Sequence, residues 1–218
     1  DIETMRSKLM NGLAVPTGGH TPSPQGAYND AELERRLPFD LAGARRLMAD
    51  AGYADGFEVT IDCPNNRYVN DEEIAQNIVA MWARIGIKVQ LMAENMATFI
   101  QKVQNFDTSA YLLGWGVATF DAQYSLQSLI RTRTSGPDGN FNFARVSDPQ
   151  VDKLVDAMKT ETDVAKRNAM IREALVRTRD EHLFVPLHHQ LRPWAMKASV
   201  TTLHRADDRP AVLLGEVR

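Results

Sequence analysis

The segment 57–91 constrains the fold most, because three successive patterns within it indicate a strand, a helix and a second strand. Apolar and polar residues alternate over 57–63, which is typical of a half-buried strand. Over 71–85 the apolar residues recur every three or four positions, which predicts a helix. A second alternating segment, 87–91, follows directly. Strand, helix and strand in such close succession predict a right-handed crossover and parallel pairing of the two strands.

Further helices and strands are predicted on both sides of this segment. Helical spacing and polar starting residues indicate helices over 40–51, over 96–105, and from positions 121, 148 and 163 onward. The run 110–115 is mainly apolar, as in a strand buried on both faces, and 183–187 predicts an edge strand because Pro186 lacks an N–H. Together these elements predict an α/β fold with a mostly parallel sheet flanked by helices.

The first 39 residues differ in composition from the rest of the chain. A short helix is predicted to end near Asn11 and Gly12, and the prolines and glycines of 13–39 disfavour both helix and central strand. We expect a long ordered loop or a tether there. The chain also opens without an initiator Met, on what reads as the first turn of a helix, so we expect a piece of a longer protein.

The charge balance argues against a polyanionic partner. The 25 basic residues nearly match the 28 acidic ones, and a formal net charge of -3 gives no field of one sign to hold nucleic acid or a membrane surface. No apolar run approaches the ~20 residues that a membrane-spanning helix needs. The single cysteine, Cys63, cannot form an internal disulfide, and its place in the strand pattern predicts a small buried hydrophobe.

Neither a metal site nor a catalytic centre is predicted. The adjacent His188 and His189 point to opposite faces of an extended segment, and the other three histidines show no ligand spacing. The sequence contains no nucleophile elbow, phosphate loop, zinc-protease helix or GxGxxG motif. We therefore expect a protein that binds rather than catalyses, without a metal or other cofactor, although an active site built from scattered residues would show no motif.

Two segments are candidates for ligand contact, because each follows a predicted strand and ligands of α/β sheets bind outside the carboxyl ends of the strands. The candidate residues are Asn66, Arg67 and Tyr68 in the first segment, and Trp115, Phe120, Asp121 and Tyr124 in the second.

Each candidate has a chemical reason for its selection. Arg67 and Asp121 would provide polar anchors, since Arg holds a carboxylate bidentately. The aromatic residues Trp115, Phe120 and Tyr124 would form an apolar wall. Two structural alternatives stay open, in which Trp115 is a core aromatic residue and Arg67 is an ordinary surface charge.

Several short motifs follow one another over nearly the whole chain. They are Pro38-Phe39-Asp40, 44–53, Gly56-Phe57-Glu58-Val59, Ile74-Ala75-Gln76, Ile85-Gly86-Ile87-Lys88-Val89, Gly114-Trp115, 147–154, Asp163 with Arg167, and Val185-Pro186-Leu187. In this order and spacing they resemble the C-terminal lobe of family 5 solute-binding proteins, the periplasmic dipeptide, oligopeptide and nickel binders.

The resemblance implies a periplasmic-binding-protein-like lobe of type II. Residues 1–39 would form a helix and a connection, 40–203 the C-terminal lobe, and 204–218 a tail returning toward a missing N-terminal lobe. Such a protein is the substrate-binding component of a bacterial ABC importer, which traps a peptide or other small solute between two lobes and delivers it to the permease subunits. It would be periplasmic, or extracellular and membrane-anchored in a Gram-positive source. Two alternatives stay open, a sensory domain of the same fold and an enzyme with its site between lobes.

One departure from the family pattern concerns the ligand. In peptide-binding members, an aspartate three residues after the tryptophan of the Gly-Trp motif pairs with the peptide's amino terminus, and that position is Ala118 here. A methyl group cannot replace the partner of a buried ammonium. Either Asp121 takes over, or the ligand is not a peptide with a free amine. Arg67 falls close to the position where a basic residue of the dipeptide binders meets the ligand carboxylate.

Overall fold

A computed structural model gives the fold and describes residues 1–21, 28, 30–117, 119, 121–202 and 216–217. Two residues of the candidate ligand segment, Ala118 and Phe120, lie outside the described residues, as does most of the predicted tail 204–218.

The helices agree with the sequence pattern. In the described part of the chain they are α1 (Ile2–Thr4, continued by a π-helical turn over Met5–Leu9), α2 (Ala31–Glu34), α3 (Leu41–Asp50), α4 (Asp71–Ala83), α5 (Met96–Gln104), α6 (Ala122–Ser125, continued by a π-helical turn over Leu126–Ile130), α7 (Pro149–Met158) and α8 (Val164–Asp180). The short first helix and the six helices α3 to α8 were predicted and are confirmed. Helix α2 is new, since 13–39 was expected to be a loop or a tether.

The strands of the described residues have two to seven residues each. They are β1 (Ala14–Pro16), β2 (Glu58–Pro64), β3 (Lys88–Glu94), β4 (Ala110–Tyr111), β5 (His188–Gln190), β6 (Val200–Thr201) and β7 (Glu216–Val217). Strands β6 and β7 pair antiparallel.

No helix among the described residues has both the length and the apolar character that a membrane crossing requires.

The chain divides into two compact units. The sheet unit consists of Asp1–Pro16 and Arg36–Trp115, and the helical unit consists of Thr17–Arg35 and Gly116–Arg218. The boundaries predicted from the sequence, after residues 39 and 203, divide the chain by family lobe instead of by compactness, and they stay a prediction.

The sheet unit is built on three parallel strands in the order β3, β2, β4. Strand β2 pairs in parallel with β3 from Glu58 and Lys88 to Pro64 and Glu94, and with β4 at Ile61 and Asp62. Helix α4 connects β2 to β3 and packs on both strands. The predicted parallel pairing of β2 with β3 across a helix and the α/β class are therefore confirmed. Because all three strands run the same way, their carboxyl ends lie at one edge of the sheet.

Three sequence expectations fail in detail. Strand β4 has only two residues and is half-buried, although a longer strand buried on both faces was predicted. Residues 183–187 form no strand, and the extended segment begins at His188 instead, after Pro186. The alternation of β2 predicted an outward-facing Asp62, whereas this side chain is 1% exposed because it is paired inside the unit.

The helical unit is held together by α7, α8 and the π-helical turn after α6, which pack on one another. Its core contains Leu126, Val151, Val155, Met158 and Ile171, all nearly inaccessible to solvent. The packing of α7 on α8 was predicted as a helical pair. The loop between the π-helical turn and α7 is held by a fully buried side chain, Asn142. Its Nδ2 donates to the carbonyls of Arg131 and Val146, and its Oδ1 accepts the Val146 N–H.

Gly56 provides a test of the turn that enters β2. Its φ is +79°, and a Cβ at this position would collide with the Gly86 carbonyl, whereas Gly52, at φ +85°, faces open space. We expect Gly52→Ala to lower the free energy of unfolding by about 1 kcal/mol, the cost of a left-handed backbone for Ala. Gly56→Ala should cost about 3 kcal/mol, because backbone atoms must also move. Equal costs for the two variants, measured by urea unfolding, would contradict this assignment.

His20 of the helical unit gives a prediction for pH. Its ring lies edge-on to Phe184, with the centroids 5.8 Å apart, and its Nε2 is buried without a hydrogen-bond partner among the described residues. Burial lowers the pKa of His20 to about 4 from 6.5. The unfolded chain therefore binds more protons than the folded one between pH 6.5 and 4, and acidification through this window destabilises the fold.

The expected loss from His20 between pH 7 and pH 5 is about 2 kcal/mol. His20→Leu should remove that part of the pH dependence of the unfolding free energy, while His182→Gln, at an exposed histidine, should leave it unchanged. Urea unfolding at the two pH values measures both. A His20→Leu variant that keeps the full wild-type slope would show that another group is responsible.

Candidate functional site

The candidate surface lies where β2 ends and its chain turns into α4. The first residue of α4, Asp71, is 4% exposed. Its Oδ2 accepts the backbone N–H groups of Arg67 and Tyr68, each at 3.0 Å, and its Oδ1 accepts the N–H of Glu72 at 3.0 Å. A carboxylate that accepts several backbone N–H groups is strongly bound in place. The loop 65–70 is therefore a fixed structure that presents Arg67 and Tyr68.

Asn66 links this loop to α5. Its Oδ1 accepts the N–H of Met96, the first residue of α5, at 2.9 Å. The neighbouring Asn65 donates its backbone N–H to the carbonyl of Glu94, the last residue of β3, also at 2.9 Å. Asn66 is exposed, but its side-chain oxygen already has a structural role, which the sequence did not reveal.

Tyr68 joins the two candidate segments of the sheet unit. Its hydroxyl donates to the carbonyl of Gly114 at 3.0 Å, and burial raises the pKa of this phenol above its ordinary value. A Cβ at Gly114 would lie only 2.6 Å from the Tyr68 ring, which is too close for a normal contact, so glycine fits this position without moving the ring. Trp115 follows directly and is half-buried. The structure thus brings Tyr68 and Trp115 into adjoining segments, as predicted from the strand ends.

Arg67 stands beside this aromatic surface. Its guanidinium lies 5.3 Å from the centroid of the Tyr68 ring, within the range of a cation–π interaction. The side chain is exposed, and among the described residues no carboxylate forms an ion pair with it. The surface therefore offers a cation next to the Tyr68 ring, whose hydroxyl binds the residue before Trp115.

Asp121 and Tyr124 belong to the helical unit, and the structure gives Asp121 an internal partner. Both oxygens of Asp121 accept from Nη2 of Arg167, at 3.0 and 2.7 Å, and Oδ1 also accepts the N–H of Gln123 as the cap of α6. Its predicted use as an anchor for a ligand amine would have to compete with this pair. Tyr124 is 42% exposed on α6.

A buried polar cluster beneath the surface was not anticipated from the sequence. The carboxylate of Asp62 is hydrogen-bonded to Nζ of Lys102, and its Oδ2 lies 2.7 Å from Oγ1 of Thr108. The hydrogen bond to Asp62 raises the pKa of Lys102, so this ammonium stays charged. The sequence carried no signal for this pair, because Asp62 occupies one of the polar positions in the alternating pattern of β2.

Cys63 is fully buried, as predicted, and burial together with nearby carboxylates raises the pKa of its thiol to about 11. Such a thiol is not nucleophilic at neutral pH. Within the described residues, no group of three or more His, Cys, Asp or Glu side chains is placed to hold a metal ion.

Comparison with known proteins identifies the family. Residues 1–137 match the model of bacterial extracellular solute-binding proteins, family 5, middle part. The glutathione-binding protein GsiB of Pectobacterium atrosepticum is 30% identical over 170 residues, which are 75% of this chain and 32% of that protein. Di/tripeptide-binding protein 1 of Pseudomonas aeruginosa is 30% identical over 171 residues, 77% of this chain and 31% of that protein.

A solved structure shares the fold. The dipeptide-binding protein of Pseudoalteromonas sp. SM9913, in complex with Met-Leu, superposes with a TM-score of 0.83 at 21% identity, covering 100% of this chain and 43% of that one. The chain thus spans less than half the length of the proteins that it matches, and its α/β fold with a parallel sheet is that of periplasmic binding proteins. Since the family model covers more than half of its residues, the chain belongs to the family 5 extracellular solute-binding proteins.

Proposed function

We propose that this chain is the C-terminal lobe of a longer substrate-binding protein and provides one wall of a site for a peptide or other small solute. The observation that carries the proposal is the hydrogen bond between the Tyr68 hydroxyl and the Gly114 carbonyl. It joins the segment that presents Arg67 to the segment that presents Trp115, at the sheet edge where ligands of α/β proteins bind.

The chemistry of this wall suits a solute with a carboxylate and an apolar part. Arg67 can bind a carboxylate through two parallel N–H groups, and Trp115 and Tyr68 offer flat apolar surface. Three positions considered for a carboxylate that would hold a ligand amine offer no free one. Position 118 is an alanine, Asp71 is bound to backbone amides, and Asp121 is paired with Arg167. The proposed ligand is therefore an acidic solute or a peptide whose amine is masked or held by another part of the protein.

The proposed role is binding and delivery rather than catalysis. The names of the relatives, glutathione-binding and di/tripeptide-binding proteins, support a role in uptake of such solutes. We infer that the complete protein works in the periplasm or at the outer cell surface and passes its solute to the permease subunits of an ABC importer. Among the described residues, the thiol of Cys63 is buried and inert, which gives no support to a covalent mechanism.

Arg67→Ala tests the proposed anchor in the longer protein that contains this chain. With glutathione and the dipeptide Met-Leu as probes, isothermal titration calorimetry should show affinity at least tenfold weaker, since a charge-assisted bond is worth about 1.5–3 kcal/mol. The control is Arg46→Ala, at an exposed arginine of the same unit that lies 3.8 Å from the exposed Asp40. Equal affinities for the two variants would remove Arg67 from the site.

The proposed binding role is tested with the same full-length protein. Native mass spectrometry of the purified full-length protein should show a bound solute, and calorimetry with peptides and small acids should show saturable binding. Absence of any ligand in both experiments, together with turnover in a hydrolase or transferase screen, would contradict the proposal.

Gly114→Ala tests the link between the two segments. The added Cβ must displace the Tyr68 ring and break its bond to the Gly114 carbonyl, so we expect about tenfold weaker binding of the same probes. The control is Gly116→Ala, because a Cβ at Gly116 meets no atom of the described residues within 4 Å. If both glycine variants bind as tightly as wild type, the Tyr68 link does not shape the site.

A further inference from the structure

The carboxylate of Asp62 lies in an unusual place for a charge. It is 1% exposed, in the carboxyl-terminal half of β2, next to the buried Ile61 and Cys63. A charge removed from water is tolerated only when it is paired and its remaining hydrogen-bonding capacity is used. Lys102 supplies the opposite charge at Oδ1, and the Thr108 hydroxyl meets Oδ2 at 2.7 Å.

The partners of Asp62 come from the elements that lead to the candidate surface. Lys102 lies on α5, the helix whose first N–H is bound by Asn66, and its Nζ is also 3.6 Å from Oε2 of Glu94 at the end of β3. Thr108 lies in the turn that precedes β4, and its hydroxyl is 2.8 Å from the Ala110 carbonyl. Asp62 therefore contacts α5 and the approach to β4 at once.

The segment that carries Trp115 needs such an anchor. Strand β4 pairs with β2 at only two positions, Ile61 with Ala110 and Asp62 with Tyr111. The Asp62 side chain is hydrogen-bonded to Thr108, two residues before β4, and the Asp62 carbonyl accepts the N–H of Leu112, directly after β4, at 2.9 Å. Asp62 is thus hydrogen-bonded to the chain on both sides of β4, a strand whose two residues alone do not fix its register.

We propose that Asp62, acting through Lys102 and Thr108, is a positioning residue that fixes the Trp115 segment relative to the loop of Arg67 and Tyr68. Its effect on ligand affinity rests on the proposed function, whereas its effect on the position of Trp115 does not. The competing view is that the cluster only stabilises the fold. Under that view, a variant of the cluster that keeps wild-type stability also keeps the wild-type position of Trp115.

Two variants separate these views in the full protein that contains this chain. Asp62→Leu with Lys102→Met replaces the buried ion pair by apolar side chains and leaves the partly exposed Glu94 without its partner, so its melting temperature should stay closer to wild type than that of Asp62→Leu alone. Thr108→Val keeps the ion pair and removes only the hydroxyl. Lys88→Met is the control, at a lysine whose pair with Glu58 is exposed on both sides.

The first measurement is the indole N–H resonance of Trp115, assigned by comparison with Trp115→Phe. We expect it to move in the double variant and in Thr108→Val, and to stay in place in Lys88→Met. The second measurement is affinity for glutathione and Met-Leu, which should be about tenfold weaker in the double variant because the apolar surface of Trp115 no longer meets the solute in the same place.

The outcomes are distinct. A double variant that melts like wild type and also keeps the wild-type Trp115 resonance and affinity overturns the proposal. If the double variant does not fold, Thr108→Val decides alone, and an unchanged Trp115 resonance overturns the proposal. If wild type binds neither probe and carries no other solute, the proposed function fails, and the Trp115 resonance still decides whether Asp62 positions this segment.

Discussion

The sheet unit depends on how it accommodates one carboxylate inside its core. Asp62 is shielded from water and compensated by Lys102, and the cost of burying either charge alone would be several kcal/mol. The pair therefore forms only when β2 and α5 are correctly packed. An apolar pair could give similar stability without this condition. The charge also recruits Thr108, which leads into β4, so the same interaction sets where the third strand begins.

The candidate surface is assembled mainly by side chains that bind backbone groups. Asp71 holds two N–H groups of the loop after β2, Asn66 holds the start of α5, and Tyr68 holds the Gly114 carbonyl. These bonds fix the backbone before any ligand arrives, which lowers the ordering cost of binding. They also mean that a polar residue at a strand end is not automatically a ligand contact. Asn66 was predicted to contact the ligand, but its side-chain oxygen already accepts the N–H of Met96.

The fold was largely predictable because its signals are local. Periodicity and capping residues such as Asp40 and Asp121 define helices within a short window, and the strand, helix, strand order implies parallel pairing. The failures involve partners distant in sequence. Asp62 meets Lys102 forty residues later, and Asp121 meets Arg167 forty-six residues later, and neither spacing carries a periodic signal. Solvent exposure was equally hard to foresee, since Leu47, on the apolar stripe of α3, is 70% exposed.

The same distinction between local and distant signals explains why the sequence identifies the family better than it identifies the ligand. Family membership depends on many residues that form turns and helix starts, and each of these can be recognised from the sequence alone. Ligand choice depends on a few charges and on which of them the protein has already neutralised. By sequence alone, Asp121 could have replaced the missing carboxylate at position 118, but its charge is already compensated by Arg167, so a ligand amine would have to share this carboxylate with a guanidinium held at 2.7 Å. Arg67, which forms no ion pair with a carboxylate among the described residues, favours an anionic group on the solute.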